Sequence, residues 1–207
     1  MSMKQELIGI LKFRPVRLSA VTLLFVGVGA ACFFTKLSVL DLDVWWHLAV
    51  GNWIVQHHAV PHVGILSRVE GERPWMAYSW AYEVMLAGAY SWFGFVGIAL
   101  FGTAITLAVA VSVFWMIYRL SRRFWLAVVL CIPVYFAFLF NIMPRPLFCS
   151  MLMYTLTLTL LLEANRTGRV ALLYWLPVIF LLWADLHVQF IYGLFGLRLV
   201  FKDAYDG

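Results

Sequence analysis

Asp41-Leu-Asp43-Val-Trp-Trp-His47 places two aspartates and a histidine within about two helical turns of a chain poor in ionisable side chains. On a helix Asp43 and His47 share one face, so a carboxylate there can act as a general base, with the second carboxylate or the imidazole tuning it or holding a metal ion. A helix start also favours such residues, because a carboxylate accepts free backbone N–H groups and meets the positive dipole end. That accounts well for one aspartate and less well for two followed by His47. Arg145 stands between Pro144 and Pro146. Its guanidinium suits bidentate binding of phosphate oxygens, although a snorkelling interfacial arginine would have the same surroundings. Asp185 and His187 break two apolar runs, where ionisable groups default to candidate site residues. Glu83, among Trp80, Tyr82, Tyr90 and Trp92, suits support of a loop or pairing with an arginine. His57, His58 and His62 around Pro61 lack metal-ligand spacing and read as a solvated loop, and Cys32, Cys131 and Cys149 lie inside apolar runs as small hydrophobes.

The elements that must position these residues are membrane helices. With 64% hydrophobic and 12% charged residues over a length of 207, the chain cannot coat a water-facing surface. The net charge of +5 is therefore read as topology, and nucleic acid is excluded as a partner. After Lys4, Lys12, Arg14 and Arg17, the run 18–40 is roughly 35 Å long as a helix, which spans a bilayer and exceeds a signal-peptide core. Its Gly27-Val-Gly-Ala-Ala-Cys32 stretch suits close helix packing rather than a nucleotide fingerprint. Residues 41–79 form a large polar loop, and two tryptophan- and tyrosine-rich segments, near 44–57 and 78–92, are expected as amphipathic helices in the interface. Further spans are expected at 93–118, 124–140, 147–162, 170–184 and 188–201, about six in all. The N-terminus, Arg119/Arg122/Arg123, Arg166/Arg169 and Arg198/Lys202 then share the cytoplasmic side, and the 41–79 loop, Arg145, Asp185 and His187 converge outside. The Asn165-Arg-Thr167 sequon falls on the cytoplasmic side and reads as chance.

The stretch Asp-Leu-Asp-Val-Trp-Trp-His-Leu-Ala-Val-Gly-Asn-Trp-Ile from Asp41, then Pro61, Ser67, Arg73-Pro-Trp75, Trp80 and Glu83, resembles the first outer loop of bacterial multispanning proteins. Those proteins are related to GT-C glycosyltransferases of the dolichyl-phosphate-mannose protein mannosyltransferase kind. Arg145-Pro-Leu-Phe and Leu182-Trp-Ala-Asp-Leu-His-Val-Gln-Phe190 with Gly193 are similar to two further motifs of that group, in the same order, so the resemblance runs from about 17 to 200. Tyr78 stands where members more often carry His, Asp185 where Asn is common, and Val188-Gln189 replaces a pair of small residues. Such enzymes are usually more than twice this length, which implies an N-terminal half or a shortened relative.

The resemblance implies an all-α polytopic bundle, with 1–17 as a cytoplasmic N-terminus and 18–207 as one GT-C-like domain in a bacterial cytoplasmic membrane. It implies transfer of a sugar from a polyprenyl-phosphate donor to an acceptor hydroxyl at the outer face. Asp43 would be the base with Asp41 as its partner, while His47, Glu83, Arg145, Asp185 and His187 would bind substrate. The resemblance singles out no cofactor and leaves room for a divalent cation at the acidic pair; membrane lipid and other membrane subunits are the remaining partners. The alternative is a non-catalytic GT-C-like accessory or scaffold subunit of a larger membrane complex.

Overall fold

The computed structural model describes residues 13–38, 42–66, 73–140 and 144–205, and what it describes is helical apart from loops and one isolated antiparallel bridge, Val63 to Pro74. In chain order the helices are α1 (Arg14–Ser38), α2 (Leu42–His57), α3 (Trp80–Ser121), α4 (Phe124–Phe140) and α5 (Leu147–Thr167). A 3₁₀ turn (Val170–Trp175) then leads into α6 (Leu176–Leu186) and α7 (Phe190–Tyr205). Three segments are long and apolar enough to cross a membrane: Arg14–Thr35, Trp80–Ser121 and Leu147–Thr167. This is a membrane protein. Phe124–Ala137 and Val170–Leu186 are apolar but shorter. Threonines inside α5 meet the apolar surroundings by turning inward: Thr155 and Thr159 donate to the carbonyls four residues before them.

α3 is two helices in one. Gly94 takes φ 57° and ψ −137°, a conformation that residues with a Cβ avoid, and the chain reverses there. The segment before Gly94 folds back along the start of the segment after it. A Cβ at Gly97 would stand 2.0 Å from the Ala89 carbonyl oxygen, and the Tyr82 ring lies 5.4 Å from that of Phe101. The sequence reading separates these segments at about the same place, since it ends one at Trp92 and begins a span at Phe93.

The core explains why α2 and the first part of α3 stay together. Val44 and Leu48 of α2 pack with Tyr82, Leu86, Ala87 and Ile98 of α3 and Cys149 of α5. A second cluster joins Val109 and Ala110 to Cys131, Tyr135 and Phe148, with Leu24, Phe25 and Val28 of α1 against it. Val50 and Ile54 of α2 are buried together with Ala77 of the loop that follows, and in that loop Trp75 N–H donates to His62 O at 2.9 Å. Tyr82 and Glu83 have no exposed surface at all. In the 78–92 segment, Tyr82, Leu86 and Ala87 pack against Val44 and Leu48 of α2, while Trp92 at its end is outside at 82% exposure.

Candidate functional site

The close contact that builds the site is at Gly51. A Cβ there would meet the Glu83 carbonyl oxygen at 2.1 Å and the Ala87 Cβ at 3.0 Å, so only glycine lets the α2 backbone approach α3 this closely. One turn earlier on the same face of α2, His47 Nδ1 lies 3.0 Å from Glu83 Oε1. The imidazole is nearly enclosed and the Glu83 side chain fully so. Glu83 Oε2 has no hydrogen-bonding partner among the described residues. Edge-on contacts with Trp46 and Tyr82 fix the His47 ring from two sides.

Asp43 and His47 do share a helix face but do not work on one another. Asp43 lies in the first turn of α2, where its charge meets the dipole, and its Oδ2 accepts from Arg145 Nη2 at 2.8 Å. Both partners of this ion pair are about half exposed. Beside the expectation that the second carboxylate or His47 tunes Asp43, the structure shows two pairs whose partners arrive from different elements: Glu83 from α3 for His47, Arg145 from the segment before α5 for Asp43. Glu83, expected to support a loop or pair with an arginine, pairs with a histidine. Asp41 lies outside the described residues.

His187 caps the end of α6 in extended conformation, and Asp185 precedes it in the last turn. Trp80 Nε1 donates to Asp185 Oδ1 at 3.1 Å, which ties the end of α6 to the start of α3. His187 Nδ1 lies 2.8 Å from Ser150 Oγ, and Ser150 Oγ accepts from Trp183 Nε1 at 2.8 Å. Burial holds the His187 imidazole below its ordinary range, and the nearby His47 lowers it further. The sequence-derived candidates Asp43, His47, Glu83, Arg145, Asp185 and His187 therefore gather at one end of the bundle. Comparison with protein-family models, curated proteins and solved structures found no match to this chain.

Ser150 and Trp183 escaped the sequence reading as site residues. Ser150 sits in an apolar run with nothing to distinguish it, and Trp183 enters the sequence reading only as part of the motif at 182–190, without a role of its own. Beside them is a groove of about 420 Å³ between α5, α6 and α7, walled by Tyr154, Trp183, Tyr192 and Phe195, with Ser150 and Gln189 as polar lining. Among the described residues no three His, Cys, Asp or Glu side chains are grouped to hold a metal ion. His57 is occupied locally, its Nδ1 2.9 Å from Trp53 O and its ring stacked on Trp53.

The opposite polar end is built differently. Arg119 and Arg166 each approach Glu163 at 2.7 Å and Arg122 at 3.7 Å. From Phe101, beside the site, to Arg119 the helix rises roughly 27 Å, close to the ~30 Å of a hydrocarbon core.

Proposed function

We propose that the protein is a GT-C-like glycosyltransferase that moves a sugar from a polyprenyl-phosphate donor to an acceptor hydroxyl at the outer face of a bacterial cytoplasmic membrane. In this reading the chain crosses about six times, with its N-terminus and the Glu163 arginines on the cytoplasmic side. The observation that carries it is the Asp43–Arg145 pair: a carboxylate and a guanidinium in contact, half open to solvent, at the end of the bundle away from the arginine cluster.

The chemistry follows from what each group can do. A donor phosphate competes with Asp43 for the Arg145 guanidinium, which binds phosphate oxygens at least as well as carboxylate. Its arrival draws Arg145 away from the Asp43 carboxylate. That carboxylate takes the acceptor hydroxyl proton as the acceptor oxygen bonds to the anomeric carbon and the bond from that carbon to the phosphate oxygen breaks. The phosphate leaves with the bonding electrons as an anion held by Arg145, so it needs no general acid. His47 and His187 stand by as further donors.

A second reading, a non-catalytic accessory subunit, is favoured by the same pair seen the other way, since Asp43 and Arg145 already neutralise one another without a substrate. Asp43→Asn separates the two. If Asp43 is the base, purified protein given a labelled polyprenyl-phosphate sugar loses transfer by about 10²-fold or more, while insertion and folding survive loss of a half-exposed ion pair. Wild-type protein that transfers no sugar and copurifies with a stoichiometric membrane partner supports the accessory role instead.

A further inference from the structure

Ser150 is buried at the start of α5, and its hydroxyl makes two side-chain contacts, to Trp183 Nε1 and to His187 Nδ1, both at 2.8 Å. An indole N–H can only donate, so it fills an acceptor position on Ser150 Oγ. The hydroxyl's own proton then has one acceptor within reach among the described residues, the Nδ1 lone pair of His187. Were Nδ1 protonated, it and the indole would both donate to Ser150, and the hydroxyl proton would point unpaired into a groove walled largely by aromatic side chains.

We infer that Trp183 and Ser150 form a relay that fixes His187 as a neutral imidazole with its proton on Nε2, aimed as a single uncharged donor at the phosphate of the donor lipid. The phosphate role rests on the glycosyltransferase reading above; the fixed tautomer does not. Ser150 is a positioning residue here, acting only through His187. A neutral donor suits a leaving group that Arg145 already compensates, because it adds a hydrogen bond without another cation for the product phosphate to escape. The titratable and charged groups at this end are His47 on α2 with Glu83 behind it on α3, Asp185 on α6, and the Asp43–Arg145 pair. The nearby His47 and burial both act against a charged His187.

The test uses ¹⁵N-histidine-labelled full-length protein in lipid nanodiscs, with the His187 signals assigned by their loss in His187→Gln. Wild type should show an unprotonated Nδ1 and a protonated Nε2 at neutral pH and below the ordinary imidazole range. Ser150→Thr keeps the hydroxyl and should keep that pattern. Ser150→Ala should release it to mixed tautomers and weaken binding of a short-chain polyprenyl phosphate at pH 7.5 by about tenfold, the worth of one hydrogen bond. A purely structural serine would alter stability without moving the tautomer. Nδ1 protonated in wild type, or an unchanged pattern in Ser150→Ala, overturns the relay. Wild type that has the pattern but does not bind the phosphate overturns the donor role. Intact tautomer and phosphate binding with no sugar transfer support the relay and its donor role and remove the glycosyltransferase reading alone.

Discussion

Glu83 and Glu163 are both buried carboxylates that cross-link helices, and the protein surrounds them in opposite ways. Glu163 has both oxygens paired: Arg119 donates to Oε1 and Arg166 to Oε2, with Arg122 3.7 Å away, joining the end of α3 to the end of α5. Glu83 has one imidazole on Oε1 and nothing among the described residues on Oε2. A carboxylate with a guanidinium on each oxygen holds helices together. An enclosed carboxylate with an unfilled oxygen costs stability, and such a cost is tolerated where it serves function. The contrast fits the proposal made above, with a structural role for the arginine end and chemistry at the other.

The largest effect in stability should come from Glu163→Gln. It leaves three guanidinium groups facing one another and should lower the thermal midpoint more than any other single change here, while transfer per folded molecule persists. Glu83→Gln should invert that pattern. The amide keeps a contact to His47 and removes a buried charge with an unfilled oxygen, so the midpoint should hold or rise. Transfer should fall sharply because His47 loses its anionic partner. Thermal scans alongside single-turnover transfer read both quantities, and a Glu83→Gln variant that is unstable but fully active would erase the distinction between the two ends.

A smaller effect tests how the site is assembled. Gly51→Ala forces a methyl against the Glu83 carbonyl, and because the obstacle is backbone it cannot rotate away. The expected loss is about 1–3 kcal/mol, as for overpacking elsewhere, read by denaturant titration in detergent. It should come with a wider His47 to Glu83 separation and reduced transfer. A silent Gly51→Ala would mean that α2 and α3 are not held this close.

Much of this arrangement was legible in the sequence because charge is scarce and apolar runs are long. Asp43, His47, Arg145, Asp185 and His187 stand out against their surroundings, and arginine asymmetry alone assigns them to one side. The all-helical architecture and the break between Trp92 and the following span were readable for the same reason. Pairing was not. The i, i+4 spacing of Asp43 and His47 suggested that they act on one another, and only tertiary placement shows that each meets a partner from a different element, Arg145 before α5 and Glu83 on α3. Glu83 was expected to support a loop or pair with an arginine; it is instead fully buried beside the core residue Tyr82 and pairs with His47. Gly51 lies inside a recognisable motif, yet its role depends on a backbone contact with a residue in another helix. Ser150 left no local signal, since a serine in an apolar helix more often bonds to its own backbone than to a distant histidine, and Trp183 stood in a quoted motif whose pattern does not reveal its partner.

The most direct test of the division between the two ends compares two arginines. Arg145 and Arg122 are both substantially exposed, both contact a carboxylate, and they lie at opposite ends of the bundle. Replacing either with glutamine should leave the fold intact, because exposed ion pairs contribute about 1 kcal/mol or less. Binding of a short-chain polyprenyl phosphate to each nanodisc-embedded variant decides the matter. Arg145→Gln should weaken it by about tenfold or more, the range for a lost charge-assisted hydrogen bond, and Arg122→Gln should leave it unchanged. Equal weakening by both, or weakening by Arg122→Gln alone, would contradict the assignment of the Asp43–Arg145 end as the substrate site.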